Sequence, residues 1–344
     1  MINVAVIGCG YWGPNLIRNF SNNKNCSVVY CCDLNEDRLQ HIKTLYPDIK
    51  LTKDYTDIIN DPKVDAVAIA TPVSTHFNIA SDCLKNDKHV LVEKPLTSNS
   101  QDAGALIKLS EEQGKILMVD QTFEYSSAVN KVKEIIDNGE LGKIFTFDMI
   151  RVNLGLFQKD INVVWDLAPH DLSILNYLIG DVPESIVSVG ESFVLENIED
   201  DVRATLRYKN KVMANIHISW LSPEKIRKLT IVGNKKMLVF DDTLPKEKIK
   251  IYDKGVTIQK DNLPKDKYYD TFDEFQLVYR SGEEITVPEI EDVEPLKDMC
   301  NHFLECIDKN KTPKTDGNSG LKVIKIIETI NKSLKQKGKE VKFE

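Results

Sequence analysis

The sequence predicts an α/β protein: a doubly wound parallel sheet first, then a C-terminal α+β domain with an open, mostly antiparallel sheet. Three observations predict it. Up to residue 121, short apolar runs alternate with helical patterns. Those runs are apolar nearly throughout, as strands are when helices cover both faces of a parallel sheet. From residue 122 the pattern changes to closely spaced strands of the kind hairpins join. The expected domains are therefore 1–121 and 122–344.

In the first part, strands are expected at Asn3–Ile7, Ser27–Asp33, Ala66–Ala70, His89–Val92 and Ile116–Val119. Helical spacing falls between them at Asn15–Asn22, Glu36–Leu45, Thr75–Asn86 and Ser100–Glu112. The second part opens with a helix over Ser126–Asn138, which ends at Gly139, and a strand over Lys143–Arg151. A helix is expected from Pro169 to Ile179, because proline suits a helix start. Strands then follow at Ser185–Ser192, Val202–Tyr208, Lys211–Trp220, Ile226–Val232, Lys236–Phe240, Ile249–Tyr252, Phe275–Tyr279 and Glu284–Val287. The lysine-rich stretch Lys246–Tyr268 reads as a solvated edge or hairpin. Two amphipathic helices, Glu294–Lys309 and Ser319–Lys335, close the chain and are expected to pack back on the first domain.

Composition narrows the function. The 344 residues are 42% hydrophobic and 28% charged, which suits a globular protein with an ample core. The net charge of −8 disfavours nucleic acid or an anionic membrane as the main partner. No apolar run approaches the ~20 residues of a membrane span. The first strand starts at once, leaving no room for a signal peptide, so a cytoplasmic protein is expected. The seven cysteines lack metal-ligand spacing and read as reduced core residues, with no metal site.

The most informative stretch is Val4–Gly13. An apolar strand runs into Gly8, Gly10 and Gly13, a G-x-G-x-x-G loop, and a helical pattern follows. Gly8 permits a tight turn, Gly10 lets backbone approach a pyrophosphate, and Gly13 lets helix and strand pack closely. The helix N-terminus adds free N–H groups and the positive end of a dipole. Asp33 stands twenty residues after Gly13, closing a second strand, where a carboxylate can accept from both adenosine ribose hydroxyls. Together these make a Rossmann dinucleotide site. The Asp33 carboxylate repels a 2′-phosphate and so favours NAD over NADP. Arg38 can stack on adenine or accommodate NADP after all, or be a solvated helix residue.

Three further motifs accompany the loop: Ala70-Thr-Pro-Val-Ser-Thr-His76, Glu93-Lys94-Pro95, and Trp165-Asp-Leu-Ala-Pro-His-Asp171. With the loop they resemble the glucose–fructose oxidoreductase/inositol dehydrogenase (Gfo/Idh/MocA) family of NAD(P)-dependent sugar oxidoreductases, over essentially the whole chain. Within it the chain is similar to members acting on nucleotide-linked sugars. The resemblance implies catalytic roles for Lys94, Asp166 and His170. Physical chemistry agrees with them. Lys94 follows a parallel strand, where such folds bind ligands, and its cation can favour an alkoxide. An imidazole such as His170 takes up a proton near neutrality. Asp166 is four residues before it; it either shares a helix face with it or caps a helix starting at Pro169.

The resemblance also implies cofactor contacts. Tyr11 and Trp12 lie near the nicotinamide or the substrate, or pack over the first helix. Thr71 and Pro72 pass the adenosine ribose or pyrophosphate, and Glu93 bonds the nicotinamide ribose. His76 is either a cofactor contact or structural, and the bond before Pro95 is often cis. Substrate candidates are Gln121, Tyr125, Arg151, Asn153, Lys159, Asn162, Trp165 and His170. Arg151 and Lys159 could bind a nucleotide sugar's diphosphate or be surface charges. The family's usual Gly-Gly before the Asp…His pair is Val163-Val164-Trp165 here, and Glu124-Tyr125 replaces a common arginine. Both departures weaken carry-over of simple inositol or glucose substrates.

The expected activity is oxidation of a secondary hydroxyl, at position 3, of a nucleotide-linked amino sugar for surface polysaccharide. Open alternatives are a keto-sugar reductase, an inositol or free-sugar dehydrogenase, and a non-catalytic dinucleotide sensor. A homodimer or homotetramer is expected.

Overall fold

The computed structural model describes residues 1–256 and 279–344, in two compact units. Unit one is Met1–Ser126 with Val293–Glu328. Unit two is Ser127–Asp292 with Thr329–Glu344.

Unit one is built on six parallel strands: β1 Ile2–Ile7, β2 Cys26–Cys32, β3 Lys50–Thr52, β4 Ala66–Ile69, β5 His89–Glu93 and β6 Leu117–Asp120. Their order is β3-β2-β1-β4-β5-β6. The order reverses between β1 and β4, which opens a crevice at the carboxyl ends of the strands. Val4, Val6, Ala66, Ala68, Leu91 and Met118 form one buried face. The helix Gly13–Ser21 lays Leu16, Ile17 and Phe20 on it. The helix Pro295–Lys309 joins the same core through Met299, Cys300 and Phe303, with the Phe303 ring edge-on to Phe20 at 6.3 Å. Arg18 forks onto both oxygens of Glu294 at that helix's N-cap.

Unit two holds a nine-stranded sheet ordered β14-β13-β12-β11-β7-β10-β9-β8-β15. Its strands are β7 Ile144–Val152, β8 Ser185–Glu191, β9 Asp201–Arg207, β10 Met213–Ser219, β11 Ile226–Gly233, β12 Met237–Asp241, β13 Ile249–Val256, β14 Tyr279–Thr286 and β15 Val341–Lys342. All pairs are antiparallel except β7 with β10. Alternation sorts the two faces. Ala214, Ile216 and Ile218 of β10 are buried, while Met213, Asn215 and His217 point the other way. A polar row runs across that second face: Thr205 to Asn215 to Asp148 to Thr146.

The sequence reading needs correction in several places. The helix expected from Pro169 begins at Val163, with Pro169 inside it. Asn162 caps it, its side-chain oxygen accepting from the Trp165 N–H. The buried run Val163, Val164, Ala168, Leu172 and Leu175 outweighs the hydrogen bond that proline removes. Strand β3, strand β15 and the helix Thr56–Ile59 were not anticipated, being too short to show a period. A 3₁₀ turn over Lys209–Lys211 replaces the start expected for β10, since Asn210 takes a left-handed φ of 60°. Strand β13 pairs on both sides, so its part of the lysine-rich stretch is not an edge. Residues 257–268 of that stretch, and 275–278 of the strand expected at Phe275–Tyr279, lie outside the described residues. All seven cysteines are buried, as expected of core residues. Among the described residues, no helix is long and apolar enough to cross a membrane.

His89 at the start of β5 yields a pH test. Its Nδ1 accepts from the Ile116 N–H at 3.0 Å, and burial pulls its pKa down to about 4. The fold therefore favours neutral imidazole. That stability is complete above the unfolded pKa near ~6.5 and is lost as pH falls toward 4. His89→Asn keeps an acceptor and removes the titration. Its melting temperature should fall less between pH 6.5 and 4 than that of the wild type, as calorimetry would record.

Candidate functional site

In unit one the glycine loop follows β1. Gly8 sits at φ +96°, and a Cβ there would lie 2.5 Å from the Ala70 carbonyl oxygen. A Cβ on Gly13 would lie 1.9 Å from the Gly8 oxygen. The chain's own packing thus requires both glycines. Gly10 differs. A Cβ there would meet only Arg38 Nη1, at 3.9 Å. Nothing among the described residues demands glycine at that position, so the open space above it fits a closely approaching diphosphate.

Asp33 at the end of β2 ties this loop down. Its Oδ2 accepts from the Cys9 N–H at 2.7 Å, and its Oδ1 from the Asn35 N–H at 2.8 Å. Each oxygen keeps a lone pair for a ribose hydroxyl. Asn35 caps the helix Glu36–Leu45, and that places Arg38 with its Nη1 3.5 Å from Asp33 Oδ2. Arg38 is thus a neighbour of the loop rather than an unrelated surface charge. Cys9 inside the loop touches the Cys31 sulfur at 2.6 Å. That contact, then burial, pushes the Cys9 thiol up, so it is no nucleophile at neutral pH.

Tyr11 is 88% exposed and stacks on Trp12, which is half-buried. Trp12 Nε1 donates to Asp120 Oδ2 at 2.9 Å. Thr71 and Pro72 follow β4, and Pro72 is the N-cap of the helix Val73–Lys85. His76 is 1% exposed. Its ring nitrogens face the carbonyls of Pro95 at 3.0 Å and Thr71 at 2.9 Å, and burial lowers its pKa. This corrects the cofactor-contact reading: His76 braces the Thr71 turn against the Glu93-Lys94-Pro95 turn. The Lys94–Pro95 bond is cis. Lys94 is half-buried just past the end of β5. Glu93 Oε2 accepts from the Lys94 N–H at 3.1 Å, while Oε1 is buried without a hydrogen-bond partner.

Two substrate candidates lie inside unit one. Gln121 is buried and its Oε1 accepts from Ser319 Oγ at 2.6 Å. Tyr125 is buried, with its hydroxyl 3.2 Å from Thr315 Oγ1 and its ring tilted on His302. The 3₁₀ turn Thr122–Tyr125 turns this segment into the core, which corrects the reading of both as open substrate contacts. Beside them Glu124 is buried, and burial pushes its carboxyl up to about 8.

In unit two, the helix Val163–Ile179 carries Asp166 in its first turn and His170 four residues on. That spacing puts both on one face, and Asp166 is not the cap. Asp166 Oδ2 accepts from the Trp220 indole at 2.9 Å. Trp220 is fully buried at the end of β10, with Phe157 edge-on at 5.5 Å. Trp220 was not anticipated, although a tryptophan ending an apolar strand needs an acceptor for its N–H.

Arg151 and Asn162 also need correction. Arg151 is buried, with Nε 2.7 Å from Asp171 Oδ1, so it is a core ion pair and not a diphosphate clamp. Burial pushes Asp171 up, against the pull of Arg151. Asn162 donates to Glu199 at 2.8 Å and Asn331 at 2.7 Å while capping the helix, which leaves it no free hydrogen-bonding arm. Lys159 is exposed, and Asn153 and Trp165 are half-buried.

Comparison with known proteins agrees with this geometry. The model of the GFO/IDH/MocA oxidoreductase family, NAD-binding Rossmann fold, matches residues 2–121. The C-terminal domain of the same family matches residues 129–239. A myo-inositol 2-dehydrogenase of Thermotoga maritima is 28% identical over 232 residues, 62% of this chain and 67% of that one. Among solved structures, UDP-N-acetylglucosamine 3-dehydrogenase from Acidithiobacillus ferrooxidans superposes with a TM-score of 0.80 at 21% identity, over 98% of both chains. The WlbA dehydrogenase from Bordetella pertussis, in complex with NADH and UDP-GlcNAcA, gives 0.78 at 20% identity, covering 100% of this chain and 99% of that one. The N-terminal match makes residues 2–121 an NAD-binding domain.

Gly10 and Gly13 should separate in mutagenesis. Gly10→Ala should keep the wild-type melting temperature and weaken NADH binding about tenfold or more, since it blocks only the ligand's approach. Gly13→Ala should destabilise the fold itself by ~1–3 kcal/mol, as overpacking does. Calorimetric titration beside thermal melting reads both.

Proposed function

The chain belongs to the Gfo/Idh/MocA oxidoreductase family, and we propose that it is an NAD-dependent dehydrogenase oxidising a secondary hydroxyl, at position 3, of a nucleotide-linked amino sugar. The observation that carries the redox reading is the glycine loop, where Gly10 is open for no reason of the protein's own. The sugar-nucleotide class draws support from the UDP-sugar relatives, which match over nearly their full length. The departures at Trp165 and Glu124 point away from a free polyol. An inositol dehydrogenase is the second reading, favoured by the Thermotoga relative.

The glycine loop and Asp33 would hold NAD, which would supply the acceptor for the hydride of the carbinol carbon. His170 takes the hydroxyl proton, and an imidazole suits that task near neutral pH. Lys94 holds the hydroxyl oxygen and stabilises the alkoxide as it forms. Asp166 fixes the helix face that carries His170, with Trp220 holding its carboxylate in place. The product, a keto sugar, suits a following transamination toward a diamino sugar for surface polysaccharide. The protein acts as a homodimer or homotetramer.

The test is absorbance at the reduced-nicotinamide band, with NAD and a panel of UDP- and dTDP-sugars, free sugars and inositols. Because alcohol oxidation can be limited by equilibrium, a parallel run with 2-oxoglutarate as a hydride sink is read by the keto-sugar product instead of by absorbance. Signal from a nucleotide sugar alone supports the reading; signal from free inositol replaces it with the second. Lys94→Ala should bind NAD normally and lose turnover about 10²–10³-fold. Normal turnover in that variant would overturn the assigned role.

A further inference from the structure

The carboxyl ends of β5 and β6 carry two acids in cross-strand register, Glu93 and Asp120. Asp120 is buried, with both oxygens engaged. One accepts from the Trp12 indole at 2.9 Å, and the other from the Thr122 hydroxyl. Trp12 belongs to the glycine loop after β1, and β4 and β5 separate that strand from β6. The contact therefore joins the phosphate loop to the far strand of its half-sheet. Tyr11 extends this link outward, its ring 6.0 Å from Trp12 and only 15° from parallel.

A dinucleotide lies across such a sheet with one nucleotide on each half. Asp33 follows β2 and marks the adenosine half. The β4-β5-β6 half then takes the nicotinamide nucleotide. We propose that Asp120 is a positioning residue for the nicotinamide end of the cofactor, acting by fixing the Trp12 indole, and with it the Tyr11–Trp12 pair, against the end of β6. The neighbouring groups fit this. Burial, then the adjacent Asp120 carboxylate, push the Glu93 carboxyl well above the usual range. Lys94 beside them opposes that shift. An anionic acceptor holds an indole N–H more strongly than a neutral one. The inference rests on the use of NAD and not on the identity of the sugar.

The test measures binding of NADH and of ADP, which lacks the nicotinamide riboside, by calorimetry. The full-length wild type is compared with Asp120→Ala, Asp120→Asn, Trp12→Phe and the double variant Trp12→Phe/Asp120→Ala. Asp120→Ala should weaken NADH about tenfold or more and leave ADP within about twofold. Asp120→Asn, which keeps an oxygen acceptor, should recover most of the loss. Trp12→Phe should match Asp120→Ala, and the double variant should bind no worse than either, because one contact is being removed. Wild-type NADH binding in Asp120→Ala overturns the proposal. So does an equal loss of NADH and ADP, which marks general damage, or a double variant whose losses multiply. Wild-type protein that binds no NADH would sink the cofactor reading instead. A silent sugar panel with NADH binding intact would sink only the substrate reading.

Discussion

The close approach of Gly13 to the Gly8 carbonyl is the constraint on which unit one depends. With 1.9 Å between that oxygen and a would-be Cβ, no other residue lets the helix Gly13–Ser21 leave β1 so tightly. That exit angle lays Leu16, Ile17 and Phe20 on the sheet and points the helix N-terminus into the crevice. The Asp33 carboxylate makes the same turn polar and rigid by holding the Cys9 N–H. Packing and ligand site are thus set by one stretch of backbone. Two of its glycines answer to sterics within the fold, and the third answers to the ligand.

What the sequence revealed was mostly local. The glycine spacing, the apolar strands and the acid after β2 lie within the first 33 residues, and backbone geometry dictates each. The helix Glu36–Leu45 matched its expected limits because Asn35 and the acidic first turn mark its start. The reading failed where a side chain's partner is remote. A strand arginine looks the same whether it meets water or Asp171, so Arg151 passed for a phosphate ligand. Asn162 passed for a substrate contact because its partners Glu199 and Asn331 are invisible from its neighbourhood. Trp12 and Asp120 are 108 residues apart. Pro169 misled for a different reason: a local rule about helix starts gave way to a buried apolar face and a cap six residues earlier than proline marks.

Unit two shows how the helix that carries Asp166 and His170 is held. Three polar contacts fix Val163–Ile179 at successive levels. Asn162 closes its N-terminus, Trp220 holds Asp166 in the first turn, and Arg151 pins Asp171 one residue beyond His170. A buried ion pair is weak evidence for stability, because desolvating both charges is costly. Its geometric effect is firmer: Arg151 stands on β7 at the middle of the sheet, so the helix cannot slide by a turn without stranding a buried charge. The imidazole next to Asp171 inherits that register.

The electrostatics of unit one's strand ends follow from the same logic. Asp33 follows β2, and Glu93 and Asp120 end β5 and β6, so three acids border a crevice meant for a diphosphate. Like charges there would repel the ligand at short range. The structure reduces each. Asp33 lies against Arg38 and two backbone amides. Burial raises the Glu93 carboxyl, which disfavours its charged form, and Asp120 points its charge at the Trp12 and Thr122 donors. Acid side chains can therefore recognise hydroxyl groups at this edge while the helix N-terminus meets the phosphates. The same arrangement makes a 2′-phosphate beside Asp33 costly, which agrees with NAD as the cofactor.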